Sequence, residues 1–148
     1  AQQSFDQHDP SRVGSAALDW TRISFQRRGL MKKADVEIWL KGYVKAWKNN
    51  SPKDIAKLFT EDAYYSTGPF DEPWIGHEAI IDGWVGLGDQ PSDWSFDYEV
   101  IAVDGDLGVM HGTTIYKSAG TFSNIWLMRF AKDGRCKDFR EWFVRKRD

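Results

Sequence analysis

The chain changes its hydrophobic period once, and that change restricts the fold more than any single motif. Over residues 36–47, Val36, Trp39, Leu40, Tyr43, Val44 and Trp47 fall at i, i+3, i+4, i+7, i+8 and i+11, one apolar stripe along a helix. From Trp94 the period is two: Trp94, Phe96, Tyr98, Val100 and Ala102 alternate with Ser95, Asp97, Glu99 and Ile101 up to the turn "DGD". Three more strands are predicted over 107–117, 122–131 and 135–146, separated by "SAGT" and "KDGR". Such turns make antiparallel hairpins, whereas a parallel sheet needs a crossover between each pair of strands. The predicted fold class is therefore α+β, a cone-shaped barrel or roll in which helices cover one face of a curved, mainly antiparallel sheet and leave a pocket inside.

The segment between these two regimes supplies the other helices. Asn49 and Asn50 end the first helix, and "SPKD" restarts a second, with Ser51 as N-cap, Pro52 at the first helical position and Asp54 near the positive end of the dipole. A short strand over 63–67 is broken by Gly68-Pro69 and Pro73, and a third helix starts past Gly76. Residues 1–30 are Gln-, Ser- and Arg-rich with weak periodicity and read as an N-terminal extension. Val13, Ala16, Ala17, Trp20 and Ile23 leave a short helix there as one option. Residues 31–148 read as one domain.

Composition removes several function classes. A net charge of -2 with 28% charged residues provides no basic field to gather nucleic acid or an anionic membrane surface. The lone Cys136 allows no disulfide framework, and His8, His77 and His111 lack metal-ligand spacing, so neither a metal nor another cofactor is expected. Without an 18-residue apolar run or a secretory profile, a cytoplasmic location is the expectation. Aromatic content is high, 15% with eight Trp. Rings bury large areas, yet Tyr and Trp need polar partners, so either an aromatic-walled cavity or a ring-rich core accounts for them.

The stretches "YVKAWKNNSPKDIAKLFTEDAYY", "GPFDEPWIGHEAI", "NIWLMRFAKDGRC" and "DFREWFVRK" together resemble the nuclear-transport-factor-like superfamily of α+β cone folds, which includes ketosteroid isomerases, limonene epoxide hydrolases, scytalone dehydratase and SnoaL-like polyketide cyclases. The resemblance covers Lys33 to about Lys146 and implies a fold more than a function. It places Tyr43 at the isomerases' helix tyrosine, but Thr67 and Trp126 where they carry acids, which makes steroid isomerisation improbable. Tyr65 and Thr67 match helper residues of the epoxide hydrolases in part, and Glu141 matches their acid on the last strand. "VMHGTTIYK" has neither the arginine nor the second acid that this route requires.

Strand parity then selects the candidate site. If Trp126 faces inward, Asn124 and Met128 do so too, and the matched last strand turns Phe139, Glu141 and Phe143 inward. A carboxylate among rings is costly unless paired, so its pKa rises and Glu141 becomes a general acid or base. The alternative is an outward Glu141 paired with Arg140 or Arg129. Tyr43 and Tyr65 are donors to a ligand oxygen, or else core tyrosines bonded to backbone carbonyls. The strand from Val109 turns inward either His111, Thr113 and Ile115 or Gly112, Thr114 and Tyr116; His111 is a candidate contact or else a rim or surface histidine. His77 reads as an exposed cap of the third helix. Thr67 and Trp74 belong to the pocket rim, with Asp62, Asp71 and Glu72 solvated near the mouth. The expected function is binding of a small hydrophobic molecule, as an isomerase, hydrolase or lyase using Glu141. The alternatives are a non-catalytic binder, or a homodimeric interaction module joined through Ile125, Leu127, Trp142 and Val144 on the outer sheet face.

Overall fold

The computed structural model describes residues 30–148, so the N-terminal extension and its optional helix lie outside the described residues. Helix α1 (Lys33–Asn49) starts where the Asp35 carboxylate accepts from the Lys32 N–H at 2.9 Å. It stops at Asn50, whose φ of 50° is left-handed and whose N–H reaches back to the Ala46 carbonyl. Helix α2 (Pro52–Leu58) follows at once, its first turn capped by Ser51 Oγ, which accepts from the Asp54 N–H at 3.4 Å. After strand β1 (Phe59–Ser66) come the short β2 (Trp74–Ile75), α3 (Gly76–Leu87) and the strands β3 (Trp94–Asp104), β4 (Leu107–Tyr116), β5 (Gly120–Phe130) and β6 (Cys136–Arg145). No described helix is long and apolar enough to cross a membrane.

Six strands form one sheet in the order β2-β1-β6-β5-β4-β3, antiparallel throughout except for the β1–β6 pair. β2 and β3 are its edges, so the sheet is an open roll rather than a closed barrel. The two-residue β2 falls in the stretch expected to be loop, where it pairs Trp74 with Tyr65. The expected alternation along β3 also breaks. A bulge between Val100 and Ala102 inserts one residue, turning Ala102 outward and Val103 onto the core.

The helices lie on the inner face of the sheet. Val36, Leu40, Ile55, Phe59, Met110, Met128 and Phe139 are fully buried between the layers. Gly108 permits a close approach, since a Cβ there would sit 3.1 Å from both Val36 methyls, so the Val36 side chain of α1 rests directly on the backbone of β4. Burying the Trp39 indole is affordable because its N–H donates to the Leu58 carbonyl at 2.9 Å, one of the acceptors left open at the end of α2. His77 is no exposed cap: its half-buried Nε2–H donates to the Phe59 carbonyl at 2.8 Å and ties α3 to β1.

Candidate functional site

At the end of the roll away from Gly108 the two layers do not close on each other. A cavity of about 440 Å³ remains between α1, α3 and the inner faces of β1, β4, β5 and β6. Its floor is a set of rings ordered by their neighbours. Phe139, fully buried, stacks on Tyr65 at 4.5 Å and on Tyr43 at 5.6 Å, holding a helix tyrosine and a strand tyrosine side by side. Their hydroxyls meet at 2.7 Å. One O–H is spent on that bond, and the other proton is left to point elsewhere in the cavity. Burial first, and then neighbouring negative charge including that of Glu141, pushes both tyrosines well above the ordinary phenol range, so both stay neutral donors.

Glu141 enters the cavity from β6, opposite Trp126 of β5. Burial raises its carboxyl to about 7, aided by the charge of Asp89, while the Trp126 and Asn124 side chains act the other way by favouring the anion. The acid is thus divided between its two forms near neutrality. Asn124 is held by Thr114, whose hydroxyl donates to Asn124 Oδ1 at 2.9 Å, leaving the amide N–H groups for the carboxyl side. The Trp126 indole is 1% exposed, and its N–H lies close to the Glu141 carboxyl without making a hydrogen bond of good geometry.

Asp89, which sequence reasoning missed, closes the opposite wall. It follows Gly88, the left-handed residue that ends α3, and its Oδ2 accepts from Trp47 Nε1 and from the Tyr116 hydroxyl, both at 2.9 Å. Burial and the bond to this carboxylate hold Tyr116 above the ordinary phenol range. The only hint in the sequence is that a Trp47 on the apolar stripe needs a polar partner for its N–H.

Most of the other predicted residues are near the cavity, but not all. Thr67 lines the mouth and donates to Asp71 at 2.9 Å, and Asp71 stands exposed there at the edge of the cavity, as expected. Trp74 lines it too, stacked on Tyr65 at 5.0 Å, and Phe143 stands half exposed at the rim. Phe139 and Met128 lie beneath the floor and do not face the space. His111 is a correction: β4 turns Gly112, Thr114 and Tyr116 inward, and His111 lies on the outer face, where it meets Ser123 Oγ at 3.1 Å. Among the described residues no group of three His, Cys, Asp or Glu side chains is placed to hold a metal ion.

A family model described as the SnoaL-like domain matches residues 40–139. None of the curated proteins matches the chain at a significant level. Among solved structures, an NTF-2 like protein of unknown function from Burkholderia xenovorans aligns at 15% identity with a TM-score of 0.64, over 80% of this chain and 89% of its own. A candidate ketosteroid isomerase from Kribbella flavida aligns at 13% identity with a TM-score of 0.61, over 78% of this chain and 82% of its own. An LEH-like epoxide hydrolase from M. tuberculosis aligns at 14% identity with a TM-score of 0.54, over 76% and 84%. At these identities the structural likeness establishes the fold alone.

Proposed function

The chain belongs to the SnoaL-like domain family, and on that premise we propose that it binds a small, largely apolar molecule in the aromatic cavity and moves a proton on it with Glu141. The observation that carries this reading is a carboxyl raised to about 7 inside a cavity that also holds a hydrogen-bonded tyrosine pair. A general acid or base works best when its pKa lies near the working pH. In its ionised form Glu141 takes a proton from the carbon beside a carbonyl. The free O–H of the Tyr43–Tyr65 pair meets the negative charge that develops on the carbonyl oxygen. Returning the proton to another carbon gives an isomerisation, and losing a leaving group instead gives a lyase.

The experiment is deuterium exchange: 1-tetralone and 3-methyl-2-cyclohexenone are incubated with the protein in D2O and label at the α-carbon is followed by NMR. Wild-type protein is expected to accelerate labelling at least a hundredfold over Glu141→Gln, within the range for general acid–base groups. Equal rates in the two proteins would discard Glu141 as the proton carrier. A second reading, a non-catalytic binder, is favoured by Thr67 and Trp126 at the two positions where the isomerases carry acids. Tight binding of these ketones with no labelling would select it.

A homodimer belongs to the same proposal. Ile115, Trp142 and Val144 are 49%, 40% and 71% exposed on the outer sheet face beside Ile125 and Leu127, an apolar patch that a second copy would cover. Sedimentation as a monomer at micromolar concentration would count against it.

A further inference from the structure

The cavity is charged in one sense only. Asp71, Asp89 and Glu141 all line it, and among the described residues no lysine, arginine or histidine does. None of the three acids takes part in a salt bridge among those residues. The chain as a whole is nearly neutral at -2, so this is a local arrangement and not a by-product of an acidic protein. Asp89 receives only neutral donors, the indole of Trp47 and the hydroxyl of Tyr116, and Asp71 receives the hydroxyl of Thr67. Hydrogen bonds from neutral groups steady a carboxylate but leave its charge in place.

Aromatic side chains line the space between the acids. Trp47, Trp74, Trp84 and Tyr116 line the cavity together with the tyrosine pair. They supply apolar contact for the body of a bound molecule. The acids therefore favour positive charge and repel an anion. A separate observation concerns the other wall. The buried Trp126 N–H lies close to the Glu141 carboxyl, whose anion it favours, but makes no hydrogen bond of good geometry, so an acceptor oxygen of a bound molecule would satisfy it.

We propose that the cavity selects a cationic amine: a flat, apolar compound with a protonated or quaternary nitrogen against the Asp89–Trp47–Tyr116 wall and an acceptor oxygen in reach of the Trp126 indole. This rests on the reading of the cavity as a ligand site and adds the charge class of its occupant. A simple neutral ketone satisfies the tyrosines and the indole but leaves Asp71 and Asp89 uncompensated. A carboxylate adds a like charge among the three acids. Binding selectivity and proton transfer are separable, because the first is read from the Asp89 wall and the second from Glu141.

Isothermal titration at pH 7 with three probes on one skeleton tests the proposal: (2-naphthylmethyl)trimethylammonium, 2-acetonaphthone and 2-naphthoate. The ammonium probe is expected to bind at least tenfold more tightly than the ketone, and 2-naphthoate at least tenfold more weakly than the ketone. Asp89→Asn, checked for folding by circular dichroism, should remove most of the advantage of the cation while leaving the ketone within twofold. Trp126→Phe should weaken the ketone severalfold and leave the ammonium probe, which has no acceptor, within twofold. A ketone or naphthoate that binds as tightly as the cation overturns the charge assignment but leaves Glu141 chemistry standing. A cation preference that survives Asp89→Asn unchanged overturns the placement of the nitrogen. Binding of none of the three overturns the cavity as a site for such ligands, whereas the expected order with no deuterium exchange would overturn only the catalytic reading.

Discussion

The two ends of the space between helices and sheet are built by the same strands, yet one is packed solid and the other is hollow. At the closed end the facing residues are Val36, Leu40, Met110 and Met128, all fully buried and apolar. Flexible or branched chains of this size interdigitate, and Gly108 removes the last obstacle to contact. At the open end β5 and β6 carry Asn124, Trp126 and Glu141 instead, and α1 carries Tyr43 and Trp47. Large rings braced on one another cannot collapse into the gap, and the polar groups among them are satisfied only in part. β4 displays the transition along one strand, its inward side chains running Gly108, Met110, Gly112, Thr114 and Tyr116 from the closed end to the mouth. The lesson is that the cavity is set by which residues resist packing, not by a different backbone.

Substitutions can break or sharpen this contrast. The largest expected effect is at the floor: Phe139→Ala should cost about 3–5 kcal/mol in urea denaturation, as for other buried ring truncations, whereas Phe143→Ala at the rim, half exposed, should cost under about 1 kcal/mol. Comparable losses at both positions would mean that the open end is packed as tightly as the closed one.

Next comes the acid itself. Folded Glu141 keeps its proton up to about pH 7, but an ordinary glutamate releases it near 4.5, so the folded state binds the extra proton between these values. Stability contributed by this group is therefore lost as pH rises through that window. Glu141→Gln should be up to about 3 kcal/mol more stable than wild type at pH 8 and equal to it at pH 4, by thermal melting at both values. A variant less stable at pH 8 would show that the carboxylate is well solvated.

Thr114→Val follows, at about 1–3 kcal/mol, because it strands the buried Asn124 carbonyl oxygen. The smallest effect is Tyr65→Phe, about 1 kcal/mol for the lost hydroxyl pair, measured by the same denaturation. A loss above that of Phe139→Ala would place the pair in the packed core instead of on a cavity wall.

Much of the fold was legible because its signals are local. The stripe on α1, the restart at Ser51-Pro52 and the turns at Gly105, Gly120 and Gly134 are each fixed by neighbouring residues, and all three glycines have positive φ. The parity of β5 and β6 could be read because rings and acids alternate there. β4 was not decided, since two of its inward positions are glycines and "GVMHGTTIY" carries no clean alternation; His111 stayed open between contact and surface, and the surface alternative holds. The bulge at Val100–Ala102 leaves no mark in a run of apolar residues. Asp89 escaped because "LGDQPSD" reads as an ordinary helix exit. Its role exists only where Trp47 and Tyr116 arrive from elements far away in sequence.

Trp74 closes one side of the mouth by lying flat between Tyr65 and the backbone of α3 at Gly83. A methyl group at Gly83 would stand 2.3 Å from the indole, so the ring could not keep that seat. The aperture is thus governed by a hydrogen atom on a helix. Adding one carbon there would swing the doorway ring and resize the entrance, with every other wall residue still in place.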